Sequence, residues 1–232
     1  MACPNGITLS TPATGASYDC PKCQDKGYII VSKFPLVTEQ CECAVRKANL
    51  RRLERSGLME LTERCSFESF DTSEPWQRQA KEKALAYLKS PKGSWFYIGG
   101  RSGSGKTHLC TAICKELIDS GKEVYYFKWR DEAPWLKALI KDYEAYREKM
   151  KKLSDIPVLY IDDFLKGSVT EADLNLAYQI LNERYNTQKR TVISSERSIK
   201  DIAVYDEAIA GRIYERSKGY CFMTQNVNYR FR

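Results

Sequence analysis

The chain has 232 residues, 43% hydrophobic and 29% charged, an ordinary globular composition that can build one good core and a small satellite module. Its 37 Lys and Arg against 30 Asp and Glu give a formal net charge of +7, which permits an anionic partner without requiring one. Met1 to Tyr18 lacks the basic start and hydrophobic block of a signal peptide, and no stretch approaches the roughly 18–20 consecutive apolar residues of a membrane span. The expectation is a cytoplasmic protein with no membrane partner and with its nine cysteines reduced.

Residues 1–18 are rich in Ser, Thr, Gly, Pro and Ala and read as a loose tail. Residues 19–43 hold two cysteine pairs, Cys20-Pro-Lys-Cys23 and Cys41-Glu-Cys43, around a strand that begins at Gly27. Two close pairs flanking a hairpin-like segment can converge on one tetrahedral Zn²⁺, and paired cytosolic cysteines point to a metal before disulfides. Four protein ligands would close the site, so it should fold a module and not catalyse. An iron–sulfur cluster and a redox dithiol are the other readings. A basic helix is expected over 44–63, with Arg46, Lys47, Arg51, Arg52 and Arg55, weakened by Gly57.

From about Phe67 the pattern alternates. A helix over 76–88, a strand over 94–99, a Gly-rich loop and a helix to about Ser120 come first. A strand from Glu123, a polar helical stretch over about 131–152 and a buried-type strand from Pro157 to Asp163 follow. Thr170-Glu-Ala-Asp173 resembles a capping box opening a helix to about Thr187. A strand from Arg190, a helix over about 206–217 and a last strand from Tyr220 complete the series. Five strands alternating with helices predict an α/β fold with a parallel sheet covered on both faces.

Gly100-Arg101-Ser102-Gly103-Ser104-Gly105-Lys106-Thr107 fits G-x-x-x-x-G-K-[ST] between a strand and a helix. The glycines let backbone N–H groups face phosphates, and the helix N-terminus adds its partial positive charge. The motif predicts bound ATP, with Lys106 on the β- and γ-phosphates and Thr107 on Mg²⁺. The apolar strand ending in Asp162-Asp163 supplies a carboxylate beside it. Asp162 is the expected Mg²⁺ partner, and Asp163 is placed to polarise the attacking water. His108, the only histidine, sits at the same helix start, as a general base or nucleotide-site ligand or as a packed or capping residue.

Walker A ending Gly105-Lys106-Thr107-His108, Ile161-Asp162-Asp163, Thr191-Val-Ile-Ser-Ser-Glu196, Ala210-Gly-Arg212-Ile-Tyr-Glu-Arg216 and Asn228-Tyr-Arg230 together resemble bacterial replicative-helicase loaders of the DnaC/DnaI type. These are AAA+ ATPases related to DnaA and to the IstB transposition helpers. The resemblance implies an AAA+ ATPase domain over 66–232 with a minimal or absent helical lid, and a zinc module with basic helix over 19–63 that contacts the helicase. It places Ser195 at sensor 1, Arg212 as an arginine finger, Arg230 at sensor 2, and Glu196 where the family often has Asn. A finger needs a neighbour, so a homo-oligomer on ATP or on the helicase is implied. The implied function is ATP-dependent loading of a hexameric replicative helicase onto single-stranded DNA. An IstB-like helper of transposition and an ATP-binding adaptor with little turnover are the alternatives. Trp129, Trp135, Tyr143 and Tyr146 lie among Lys137, Lys141, Arg147, Lys149, Lys151 and Lys152, where such proteins contact single-stranded DNA. The same pattern fits an amphipathic helix with a solvated basic face.

Overall fold

A computed structural model describes residues 18–225 and 228–229. The expected tail, apart from Tyr18, and the sensor-2 candidate Arg230 lie outside the described residues. The chain forms two compact units, Met1–Lys47 and Ala48–Arg232.

In the first unit, β1 (Tyr28–Lys33) pairs antiparallel with β2 (Leu36–Gln40). The turn that leads into it needs left-handed backbone at Gln24, Asp25 and Gly27 (φ 50°, 62° and 80°). Asp and Asn tolerate that region better than most residues, and glycine tolerates it freely. The Asp25 carboxylate fixes the turn by accepting from the N–H groups of Asp19 and Cys20 at 3.1 and 2.9 Å. The hairpin ends at Cys41, whose N–H bonds the Gly27 carbonyl at 2.9 Å, and α1 (Glu42–Ser56) follows. The basic helix expected over 44–63 stops at Ser56 and resumes as α2 (Met59–Thr62). Gly57, at φ 77°, makes the break.

The second unit continues with α3 (Pro75–Leu88), β3 (Trp95–Gly99), α4 (Lys106–Asp119), β4 (Val124–Lys128), α5 (Trp129–Ala138) and α6 (Tyr143–Asp155). Then come β5 (Val158–Phe164), α7 (Glu171–Asn186), β6 (Arg190–Ser195), α8 (Ile199–Tyr205), α9 (Glu207–Arg216) and β7 (Cys221–Met223). The sheet is fully parallel in the order β4-β5-β6-β3-β7. Strand parity sorts its core. Phe96, Ile98, Val124, Tyr126, Val158, Tyr160 and Val192 face α3 and α4. Trp95, Tyr97, Phe127, Leu159, Ile161 and Ile193 face the helices of the other layer. Both faces are covered, which is why these strands read as nearly continuous apolar runs.

The stretch expected as one helix over 131–152 is two, α5 and α6. A 3-10 turn at Leu139–Lys141 separates them, and the Asp142 carboxylate caps α6 by accepting from the Ala145 N–H at 3.1 Å. The short α8 was not anticipated; its signal is the reciprocal Ser198–Asp201 capping box.

One buried cation ties the far end of the sheet together. Arg184, with no solvent exposure, donates to the carbonyls of Leu153, Ser154, Ile156 and Arg190 and to the Thr191 hydroxyl. These acceptors belong to the end of α6, the loop into β5 and the start of β6. A planar guanidinium with five donors can satisfy them together, and an ammonium cannot. Arg184→Ala should therefore cost on the order of 3 kcal/mol or more in urea unfolding, with Arg184→Lys recovering less than half of it.

Candidate functional site

The Gly-rich loop leaves β3 and enters α4 through three glycines in left-handed geometry: Gly100, Gly103 and Gly105 (φ 136°, 77° and 82°). Two of them also lack room for a side chain. A Cβ at Gly100 would lie 1.9 Å from the Thr224 hydroxyl, and one at Gly103 would lie 1.9 Å from the Asn228 side-chain oxygen. The segment after β7 is laid against the loop: Thr224 donates its N–H to the Gly99 carbonyl, and Tyr229 donates to Gly103. Thr224 also meets Ser104 hydroxyl to hydroxyl at 2.9 Å.

Beside the loop is a cleft of about 360 Å³, lined by Ser102, Gly103, Gly105, Lys106, Thr107, His108, Asp163 and Lys166, and also by Leu61, Arg64 and Cys65. The Lys106 ammonium donates to the Arg101 carbonyl at 2.8 Å. Burial lowers its pKa, and the nearby Asp163 and Glu196 carboxylates oppose that. His108 lines the cleft but is also tied down. Its Nε2 lies 2.9 Å from the Ser66 carbonyl and 3.2 Å from the Ser69 hydroxyl, and its ring meets Phe70 edge to face.

Asp162 is a node. Its carboxylate accepts from the hydroxyls of Tyr126 (2.8 Å), Tyr160 (2.8 Å), Thr107 (3.2 Å) and Ser194. Burial and the Asp162 charge push both tyrosine pKa values far up, so both remain donors. β5 carries an extra residue here: Ile161 pairs with Ile193 but Phe164 pairs with Ser195. The bulge puts Asp163 at φ 55° and turns it towards the cleft. Ser194 locks the bulge, accepting from the Asp163 N–H at 3.0 Å while donating to Asp162.

Ser194 is the residue that sequence reading passed over in favour of Ser195. The buried Ser195 hydroxyl instead donates to the Phe164 carbonyl at 2.8 Å and accepts from the Arg197 N–H. Strand parity carries the signal: Ser194 shares its face with Val192 and α4, and Ser195 shares the opposite face with Ile193. Lys166, Arg64 and Cys65 were missed as well. They lie on loops and a helix end that no motif marks.

In the first unit, the sulfur atoms of Cys20, Cys23, Cys41 and Cys43 all lie within 4.8 Å of one another. Cys20 and Cys41 are 3.8 Å apart and Cys23 and Cys43 are 3.4 Å apart. A tetrahedron with Zn–S bonds of about 2.3 Å has edges of about 3.8 Å, so the four thiols fit zinc. A backbone hydrogen bond from Cys23 helps lower Cys20 to about 7. The hydrogen bond with Cys23, then desolvation, push Cys43 up to about 12. Four clustered thiolates need a cation to coexist.

Residues 31–232 match the family described as IstB-like ATP binding protein. The chain belongs to that family. It is 30% identical over 227 residues to the phage-like element PBSX protein XkdC of Bacillus subtilis (strain 168), covering 91% of this chain and 84% of that one. It is 26% identical over 171 residues to the replicative helicase loader DnaC of Escherichia coli (strain K12), covering 72% of this chain and 69% of that one. The crystal structure of the DnaC helicase loader shares the fold, with a TM-score of 0.61 at 23% identity over 69% of this chain and 97% of that one.

An IstB-like ATP-binding chain implies a nucleotide with Mg²⁺, and the residues present fit both. The glycine cradle and Lys106 suit phosphates. The Thr107 hydroxyl and Asp162 carboxylate, already 3.2 Å apart, are the hard oxygen donors Mg²⁺ takes. Arg212 lies away from this cleft, on α9. Its guanidinium rests on Tyr178 and bonds Asn182 and the Tyr178 hydroxyl. Among the residues offered for base stacking, Trp129 must be withdrawn: it is 4% exposed and packs on Phe127 and Phe164 in the core. Lys137 and Lys149 are paired with Asp173 and Glu132. Trp135 and Tyr143 remain exposed, as do Lys141, Arg147 and Lys151. Among the described residues, no helix is long and apolar enough to cross a membrane.

The purified chain should carry about one zinc per molecule, read by metal analysis. Cys20→Ser with Cys23→Ser should abolish it. Acidification should release the metal as the thiolates protonate. A full zinc complement in the double variant would contradict the assignment.

Proposed function

We propose that the chain is an ATP-dependent loader of a hexameric replicative helicase onto single-stranded DNA, working in the cytoplasm. The observation that carries this reading is the assembled cleft, in which Lys106, Thr107, Asp162 and Asp163 converge from two elements, in a chain similar to a replicative helicase loader. Lys106 would hold the β- and γ-phosphates of ATP. Thr107 and Asp162 would hold Mg²⁺, which supplies charge neutralisation on the phosphate oxygens. Asp162 has no freedom to act as a base, because four hydroxyls hold it. Asp163 is the residue left to orient and deprotonate the attacking water, and the bulge aims it.

The rest of the reading assigns parts. Residues 19–63 are the helicase-contacting module and basic helix, and residues 66–232 are the ATPase domain. The exposed apolar residues of the hairpin, Ile30, Phe34 (95% exposed) and Leu36 (70%), support a docking role for the zinc module. Arg212 is offered to the nucleotide of a neighbouring subunit, so hydrolysis follows assembly of a homo-oligomer or docking on the helicase ring. Arg230 is proposed as sensor 2. Trp135, Tyr143 and the cations near them form the single-stranded DNA face. ATP then times release, because a nucleotide biases a conformation only through contacts that differ between states.

Light scattering after size exclusion tests this directly. With the replicative helicase of its own organism and Mg·ATP, the chain should form a stable complex. The complex should be lost when Cys20 and Cys23 become Ser. Single-stranded DNA and helicase should stimulate ATP turnover, and Lys106→Ala should abolish it. Asp163→Asn should slow it about 10²-fold or more with ATP still bound. No complex under any nucleotide condition would overturn the loader reading.

A further inference from the structure

The loop after β5 contains a cation with two masters. Lys166 donates to the Asp163 carboxylate at 3.0 Å and pairs with Glu196 at 2.9 Å. It also lines the cleft together with Ser102, Gly103, Lys106 and Thr107. An ammonium has three donors, and the two carboxylates engage two of them.

Its position is fixed by backbone, not by chance. Leu165 and Gly167, on either side, are in left-handed geometry at φ 53° and 89°. Arg197 grips both of their carbonyls, Leu165 through Nε at 3.0 Å and Gly167 through Nη2 at 2.7 Å. The end of β6 therefore holds this loop twice, by the Arg197 guanidinium on its backbone and by Glu196 on the Lys166 side chain. Residues kept in sparsely populated backbone regions persist only where their surroundings over-determine them, and they cluster at switch and ligand sites.

We propose that Lys166 is the group that reads the γ-phosphate of ATP. This rests on the reading of the cleft as the nucleotide site. A carboxylate at position 196 facing phosphate would be repulsive on its own. Paired with Lys166, it becomes the anchor of a cation placed at the site's rim. With ADP, Lys166 stays shared between Asp163 and Glu196. With ATP, the γ-phosphate oxygens compete for the ammonium and draw it from Asp163. That transfer leaves the Asp163 carboxylate uncommitted when its proposed substrate water is beside it. Lys166 also lines a second groove, with Trp129, Arg130 and Lys137 of α5 and the 168–170 segment. Its displacement therefore alters a surface beyond the cleft.

Calorimetric titration with Mg·ADP and with a non-hydrolysable Mg·ATP analogue tests this on the full chain, without helicase. The readout is the ratio of the two affinities. Lys166→Ala should cut the preference for the ATP analogue about tenfold or more while ADP affinity stays within about twofold. Lys166→Arg should keep most of the preference. Glu196→Gln alone should raise it. In the double variant Lys166→Ala with Glu196→Gln, the ratio should rise above the Lys166→Ala value, because no unpaired carboxylate faces the phosphate, but stay well below that of the unmodified chain. An unchanged ratio in Lys166→Ala, an equal loss of both nucleotides, or a double variant that recovers the full preference would each overturn the proposal. Lys106→Ala separates the two levels: if it binds both nucleotides normally, the cleft is not the nucleotide site, whatever the Lys166 variants do.

Discussion

A single buried carboxylate organises the second unit. Asp162 draws a hydroxyl from each of four places: Tyr126 on β4, Tyr160 on β5, Ser194 on β6 and Thr107 at the start of α4. An anion this deep is stable only when its lone pairs are fully engaged. The requirement fixes three strands and one helix against each other at the end of the sheet where nucleotides bind in parallel α/β folds. With Asp162 held by hydroxyls from three strands, the bulge in β5 turns the next residue, Asp163, to the cleft. The proposed sharing of labour between two adjacent acids rests on that geometry.

Much of this was legible in the sequence, for identifiable reasons. The Gly-rich loop and the apolar strand ending in two acids are short-range patterns whose chemistry forces their spacing, so Lys106, Thr107, Asp162 and Asp163 could be named and the parallel sheet anticipated. The candidate zinc ligands were legible for the same reason, since four thiols in two close pairs suit one tetrahedral metal. What stayed hidden depends on the third dimension. Ser194 and Ser195 are adjacent and chemically alike, and only the side of the sheet separates them. Lys166 gains meaning from Glu196, thirty residues on in a different loop. Trp129 sits among basic residues in the sequence yet is packed between Phe127 and Phe164, because a helix start can bury its first aromatic while its later turns stay wet.

Each unit is stabilised internally by different physics. The second has a two-sided apolar core and a buried guanidinium that satisfies five acceptors at the sheet's far end. The first has a two-stranded hairpin with exposed apolar side chains and four clustered thiols. A hairpin of that size is marginal in water by itself, so its fold would follow its metal. Loss of a metal from the thiol cluster and loss of core packing would therefore be separate failures of one chain.

The close fit of the segment after β7 onto the Gly-rich loop has an optical consequence. Trp76 on α3 lies against Phe222 and Tyr229, at ring-centre distances of 6.5 and 6.0 Å. Tyr229 in turn bonds the Gly103 carbonyl. Trp76 is 5% exposed and so is shielded from quenching by bulk water. With Trp95, Trp129 and Trp135 replaced by Phe, Trp76 becomes an intrinsic fluorophore two contacts from the Gly-rich loop, and its emission can follow the shape of that loop in real time without any attached dye.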